Sequence, residues 1–439
     1  MSLYSEIFYS KEINSLFSNH NQISKLLKVE EILAQAQADS GIIPQEAAKV
    51  IGECCNVDYI DLERLKSDVH LGGNAAIPLV KQLVRIVKNN DFEASKYVHY
   101  GATSQDIIDT ATVLLIKEYL EWLQVKTQQL KTILLELTKA HRDTLMMGRT
   151  LLQQAKPITF GLKTAGWLEA VARSDERILQ TKQRVLTIQL GGAVGSGNDR
   201  ITPKVKLAFA DLLGLKDSFT WQSNRDNFSE WASALSILSG SLGKIAKDIS
   251  LLMQTEIGEV FEPAAEGRGG SSTMPHKRNP VICAVMLANA TRTPNLTATM
   301  LSSMVQEHER SAGLWHAEWE VLTQIMALTA GTVEKAIELL SGLEVDKERM
   351  LHNLETTNGL IYAENISLAL AQTMGKIQAH ELVEKACEIA IREHKHLKKV
   401  LLEQSVALDD MGTYFNPKNS IGQSITLIDS IIAQYENQL

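Results

Sequence analysis

The sequence predicts an all-α protein built around a central bundle of five long helices, with a smaller helical part at each end. Three observations predict it. Proline is scarce, 9 in 439 residues, which is about 2% against a usual ~5%, and the prolines punctuate long uninterrupted stretches. Between Gln105 and Met147 there is neither Gly nor Pro, and Ile116, Leu120, Leu123, Leu130, Leu134 and Leu137 recur at spacings of three, four and seven, the period of a helix buried along one face. No stretch of comparable length alternates apolar and polar residues as a half-exposed strand does.

The elements follow in order. Residues 1–103 read as short helical segments separated by turns, an N-terminal helical domain. Thr103, with Asp106 three positions later, resembles a capping box and starts the first long helix, Gln105 to His141. A second runs from Pro157 to about Gln189, with Phe160, Ala165, Leu168, Val171 and Ile178 as its inner positions, until Gly191, Gly192, Gly195 and Gly197 break it. A third spans about Phe228 to Val260, a fourth Pro280 to about Arg310 with a kink at Pro294, and a fifth Gly313 to about Ser341. Residues 104–350 thus form the central long-helix bundle, and 351–439 a C-terminal helical domain.

Composition narrows the function. With 44% hydrophobic and 22% charged residues the chain has a soluble globular composition, and no run approaches the ~20 apolar residues of a membrane span. Glu6, Lys11 and Glu12 interrupt the N-terminus where an export signal needs an apolar stretch, so a cytoplasmic location is expected. The net charge of -8 argues against a nucleic-acid partner. Cys54, Cys55, Cys283 and Cys387 show no C-x-x-C spacing, so neither a metal site nor a redox pair is signalled.

One segment stands out chemically: Glu266 to Pro280, EGRGGSSTMPHKRNP. Gly267, Gly269 and Gly270 give backbone freedom before Ser271 and Ser272, and Pro275 and Pro280 remove it again, which suits a lid. His276, Lys277 and Arg278 concentrate positive charge in an acidic protein, and Asn279 precedes the proline that opens the next helix, whose N-terminus is expected to serve as an anion site.

The string G-S-S-x-M-P-x-K-x-N-P, here Gly270 to Pro280, resembles the signature of the fumarase/aspartase superfamily. The resemblance covers most of the chain. It implies the same three-part helical fold, a homotetramer with active sites shared between chains, and a serine, Ser271, as the catalytic acid/base, with Lys277 and Asn279 as its anion-stabilising neighbours and Ser272 as the next candidate. It also places substrate-binding residues in His99–Asp106, HYGATSQD, at His99, Thr103 and Ser104. Thr103 has a second reading, as the cap of the long helix, and the two are compatible.

A third region departs from the lyases of the superfamily. Where they carry G-R-T-H, this chain reads Gly148, Arg149, Thr150, Leu151, then Leu152, Gln153 and Gln154, so the usual acid histidine is absent. Expelling an amine or hydroxide needs a proton donor, whereas a carboxylate, with a reference pKa near 4, departs unaided. The reaction expected is therefore one whose leaving group, or in reverse whose nucleophile, is a carboxylate. Glu307–Trp319, EHERSAGLWHAEW, and Val98–Thr110, VHYGATSQDIIDT, are similar to the muconate-lactonising cycloisomerases of the superfamily. That resemblance implies a small tricarboxylate substrate, with no metal or organic cofactor. Arg149, Gln153 and Arg310 are the further substrate-binding candidates, Arg310 because a multiply charged acid calls for a fixed guanidinium. Packing accounts for Trp315 and Trp319, and neither His308 nor His316 can be assigned a proton-transfer role. The alternatives are adenylosuccinate lyase, which shares the S-S-x-M-P-H-K-R-N-P loop, and a non-enzymatic structural relative.

Overall fold

The computed structural model describes residues 4–270, 274, 276–406 and 408–437. Helix α1 spans Asn19–Asp39, its first turn capped by the Ser18 hydroxyl, which accepts from the Asn21 N–H. Five longer helices follow: α2 (Ser104–Ala140), α3 (Phe160–Val185), α4 (Asp226–Leu252), α5 (Val281–Ser302) and α6 (Leu314–Ser341). The fold class is the one the sequence predicts, all-α around five long helices. At 37 residues α2 is about 55 Å long at ~1.5 Å per residue. Ile116, Leu120, Leu123, Leu130 and Leu134 of its expected stripe are buried.

Several boundaries differ from the sequence reading, and strands occur where none is expected. Pro157 lies in a strand, not at the start of α3. Strand β1 (Leu145–Thr150) pairs antiparallel with β2 (Gln153–Thr159), with Met147 opposite Pro157 and Thr150 opposite Gln153. The connecting residues Leu151 and Leu152 have φ of 49° and 65°, the two left-handed positions of a tight I′-type hairpin turn. Glycine or asparagine normally fills such positions, so the turn carried no recognisable signal. Gly148 is required by close approach, because a Cβ there would meet the Lys156 carbonyl oxygen at 2.7 Å. Helix α4 stops at Leu252, and Val260 instead joins Phe261 in strand β3, paired with β4 (Glu344–Val345). Helix α5 ends at Ser302, so His308 and Arg310 lie on the connection to α6 rather than on a helix.

The chain packs as two units, and their division falls inside each of the five long helices. One comprises Met1–Thr127, Arg173–Leu242 and Ala288–Glu334. Its core gathers Leu27, Val29 and Leu33 of α1, Ile107 and Tyr119 of α2, Phe228 and Trp231 of α4, and Ile325 and Leu328 of α6, all buried. The Tyr119 hydroxyl donates to the Met326 carbonyl at 2.8 Å, which satisfies the one polar atom of a buried ring. The other unit comprises Gln128–Ala172, Gly243–Leu287 and Lys335–Leu439. There Leu145 and Met147 of the hairpin join the core of the C-terminal helices, with Tyr362, Ile366, Leu370, Ala386 and Leu397. Trp167 of α3 donates its Nε1–H to Asp248 of α4 at 2.9 Å.

Candidate active site

Within the first unit, the loop before α2 is held from several directions. Asp106 closes one half of the expected capping box: its Oδ2 accepts the Thr103 N–H at 3.0 Å. The same carboxylate accepts the N–H groups of Gly191 and Gly192, each at 2.9 Å, and the Gln189 amide at 3.2 Å. Gly192, at φ +73°, takes a left-handed turn that favours glycine. Burial outweighs these donors and lifts the Asp106 carboxyl to about 6.

The other half of the box is put to different use. The Thr103 hydroxyl accepts from Arg310 Nη2 at 2.8 Å, while Arg310 Nε donates to Gln105 Oε1 at 3.1 Å. Two of the residues expected to bind substrate, Thr103 and Arg310, are thereby brought together although they lie far apart in sequence. Ser104 is the first residue of α2, half-buried beside them. His99 sits four residues before Thr103 in the same loop, its Nδ1 at 2.6 Å from Glu30 Oε1.

Sequence reasoning missed the support behind this pair. Gln105 donates to Asp109 Oδ2 at 3.0 Å and to the Gln222 carbonyl at 2.7 Å. Asp109 is bridged to Glu318 by the fully buried Arg225, with contacts of 2.6 Å to each carboxylate. Trp315 adds a hydrogen bond to Asp109 at 3.0 Å, so this tryptophan is more than packing. Burial raises the Glu318 carboxyl above its ordinary range, against the pull of Arg225. Such a buried, fully paired cluster costs desolvation but holds one geometry. The available signal was phase: Gln105 and Asp109 are one turn apart, on the helix face that also carries the buried Ile116 and Leu120.

In the second unit, Arg149 of β1 does not offer a free guanidinium. Its Nη1 and Nη2 grip the wholly buried Glu259 at 2.9 and 2.7 Å, and Asn353 donates to the same carboxylate at 2.7 Å. This bidentate pair anchors the hairpin. Gln153 is exposed next to the turn, as are Leu151 and Leu152, at 96% and 76%.

The signature loop is closed at its base by Asn279. Its backbone N–H and its side-chain Nδ2 both donate to the Gly269 carbonyl, at 2.9 and 3.0 Å. Gly269 has φ +64°, and a Cβ there would stand 2.7 Å from the Asn279 carbonyl oxygen. Ser271 and Ser272 lie outside the described residues. Lys277 is exposed, and neither it nor His276 forms an ion pair among the described residues. Arg278 is engaged: it contacts both carboxylate oxygens of Glu344 at 3.0 Å and stacks over Phe261 at 4.8 Å.

The anion site expected at the start of α5 is already filled from within. The buried Glu262 carboxylate accepts the N–H groups of Ile282 and Cys283 at 3.0 and 2.7 Å, satisfying the donors that a substrate anion would otherwise use. Among the described residues Lys277 is thus a cation of this loop without an ion pair, whereas Arg278 has Glu344 and the helix N-terminus has Glu262.

An all-α chain with a Gly- and Ser-rich loop followed by a lysine that forms no ion pair among the described residues, and with a Thr–Arg pair at the start of its long helix α2, has the parts of a helical lyase. A family model described as lyase matches residues 7–294, and one described as adenylosuccinate lyase C-terminus matches 359–431. The chain is 49% identical over 421 residues to 3-carboxy-cis,cis-muconate cycloisomerase of Acinetobacter baylyi, covering 94% of this chain and 92% of that one. It is 43% identical to the protein of the same name in Pseudomonas aeruginosa, over 99% and 96% of the two chains. Its fold matches the crystal structure of 3-carboxy-cis,cis-muconate lactonizing enzyme from Pseudomonas putida with a TM-score of 0.94, at 40% identity over 99% of each chain. The chain belongs to the lyase family of the fumarase/aspartase superfamily.

Proposed function

We propose that this chain converts 3-carboxy-cis,cis-muconate to 4-carboxymuconolactone in the breakdown of aromatic acids through protocatechuate, as a cytoplasmic homotetramer. The supporting observation is the near full-length identity to cycloisomerases together with Leu151 at the position where the lyases carry their acid histidine. One carboxylate of the open triacid adds to the double bond conjugated with a second carboxylate, forming the ring C–O bond. The π electrons move onto that second carboxylate as an aci-carboxylate. Ser271 then gives its proton to the carbon and recovers one from solvent, and in the reverse direction its alkoxide removes the proton. Lys277, without an ion pair among the described residues, stabilises the developing charge. Thr103 and Arg310 hold a carboxylate, with His99, Ser104 and Gln153 as further contacts. Asn279 shapes the loop by closing it onto Gly269, and Arg149 holds the hairpin that carries Gln153. No step uses a proton donor for the ring oxygen, because the group that leaves in the reverse direction is a carboxylate.

The tetramer and the three-part division at 103/104 and 350/351 belong to the same reading. The stretches His99–Asp106, Gly148–Gln154 and Glu266–Pro280 are assigned to three different chains at each site. The exposed Leu151 and Leu152, which a monomer would leave in water, support it. The test is a spectrophotometric assay of purified protein with the triacid, following loss of diene absorbance, with adenylosuccinate as the competing substrate. Turnover of adenylosuccinate without turnover of the triacid overturns the proposal.

A further inference from the structure

Helix α1 carries two polar residues on its buried face. Glu30 and Gln37 are seven positions apart, two turns along one side, and are 1% and 0% exposed. Both reach the loop that leads into α2. Gln37 Nε2 donates to the carbonyls of Tyr100 and Arg200 at 2.6 and 3.0 Å. Glu30 Oε1 lies 2.6 Å from His99 Nδ1. The other oxygen of Glu30 is buried without a hydrogen-bond partner among the described residues, so His99 is the hydrogen-bond partner that compensates this carboxylate. An acid buried at that cost is retained where its partner is ionised or its geometry is used.

His99 itself is held in an unusual pose. Its backbone is left-handed, at φ 56°, a conformation that a histidine adopts seldom and that surrounding structure must impose. With Nδ1 bound to Glu30, the ring presents Nε2 on the opposite side, and Nε2 has no hydrogen bond among the described residues. The side chain is 20% exposed, so Nε2 can be reached by a ligand in the loop that also carries Thr103.

We propose that Glu30 is a positioning residue that fixes the ring of His99 so that its Nε2–H is presented to a carboxylate of the substrate. The identity of that substrate rests on the function proposed above. Burial pulls the His99 imidazolium down, but the adjacent Glu30 carboxylate, with Asp106 of α2, holds it above its ordinary value. Arg200 lies over the neighbouring Tyr100 ring at 4.9 Å, and the Cys55 thiol near Glu30 is pushed up and kept neutral by burial and by Glu30. A carboxylate–imidazole pair of this kind sets both tautomer and charge. The imidazolium adds a second cation to the one that Arg310 supplies beside Thr103.

Glu30→Gln tests this, because glutamine keeps an acceptor for Nδ1–H while removing the charge. The expected result is a KM for the triacid raised about tenfold, the loss of roughly one charged contact, with kcat changed by less than about threefold. The alkaline fall of kcat/KM should move to lower pH, since the protonated ring is the binding form and is lost as pH rises through its pKa. Glu30→Asp should restore part of the effect. Independently of substrate, ¹⁵N-histidine NMR, with His99 assigned by its absence in His99→Gln, should show His99 titrating above an ordinary histidine in the wild type and its titration moved down in Glu30→Gln. An unchanged KM and alkaline limb, or an unchanged His99 titration, overturns the proposal. Should Glu30→Gln not fold, a wild-type His99 that titrates at or below the ordinary histidine value overturns it equally. Absence of triacid turnover with the expected NMR titrations would sink the proposed function while leaving the Glu30–His99 assignment standing.

Discussion

Arg310 shows how little of a site needs to be conspicuous in sequence. Its guanidinium reaches Thr103 and Gln105 through different nitrogens, and Gln105 passes the constraint to Asp109 and Arg225. The local string EHERSAG identifies the arginine, but nothing near it points to Thr103, which arrives from another part of the chain. Glu30 was likewise invisible as a functional residue, although its phase with Leu26 and Leu33 on α1 marks it as a polar residue on an apolar face. For the proton-transfer serine, Ser271→Ala is expected to lower kcat at least about 10²-fold, the usual contribution of a general acid-base group, without loss of assembly. Retention of more than about a tenth of the activity would move the role to Ser272, and steady-state rates of both variants decide it. At the third region, Leu151→His is expected to give no gain in kcat with the triacid, because carboxylate chemistry does not lack a general acid. A large rate increase in the measured pH profile would remove the leaving-group argument for a cycloisomerase.

Among the elements, the β1–β2 hairpin departs most from what the sequence predicts. Its turn is made by two leucines in left-handed conformations, which cost about 1–2 kcal/mol per residue for a side chain bearing a Cβ. A sequence that tolerates this strain at an exposed apolar tip retains the leucines for something other than the hairpin. Replacing Leu151 and Leu152 with Asn–Gly should therefore raise the thermal midpoint of the protein and lower kcat/KM, the two measured by calorimetry and by turnover. A turn variant as active as wild type would show that the tip has no part in the site. At the C-terminal end of α2, His141 is buried against Phe160, with rings edge to face at 5.1 Å, and burial, aided by Lys347, lowers its pKa to about 4. In the unfolded chain a histidine titrates near ~6.5, so the unfolded state binds the proton more readily. Stability is accordingly present above that pH and is lost as pH falls from about 6.5 toward 4, by at most about 3 kcal/mol. His141→Gln should flatten this part of a urea-denaturation profile against pH; an unchanged slope would assign the acid sensitivity to other groups.

For the whole molecule, the proposed sharing of sites makes a complementation experiment decisive. Ser271→Ala and Lys277→Ala lie on one loop and should not rescue one another in mixed tetramers, whereas Ser271→Ala mixed with Thr103→Ala should regain activity after subunit exchange. No recovery in the second mixture, with exchange confirmed by mass, would rule out sites built from several chains. The sequence by itself determined the all-α class, the five long helices and most of their buried stripes, because helical periodicity and the placement of Gly and Pro act over neighbouring residues. It also marked the signature loop and the Thr103–Arg310 candidates. Only the tertiary structure decided which of the charges are free. Glu259 occupies Arg149, Glu344 occupies Arg278, and Glu262 fills the N-terminus of α5, while Lys277 has no ion pair among the described residues. Each of these pairings joins residues distant in the chain, and their strength depends on distance and burial, which exist only once the chain has folded.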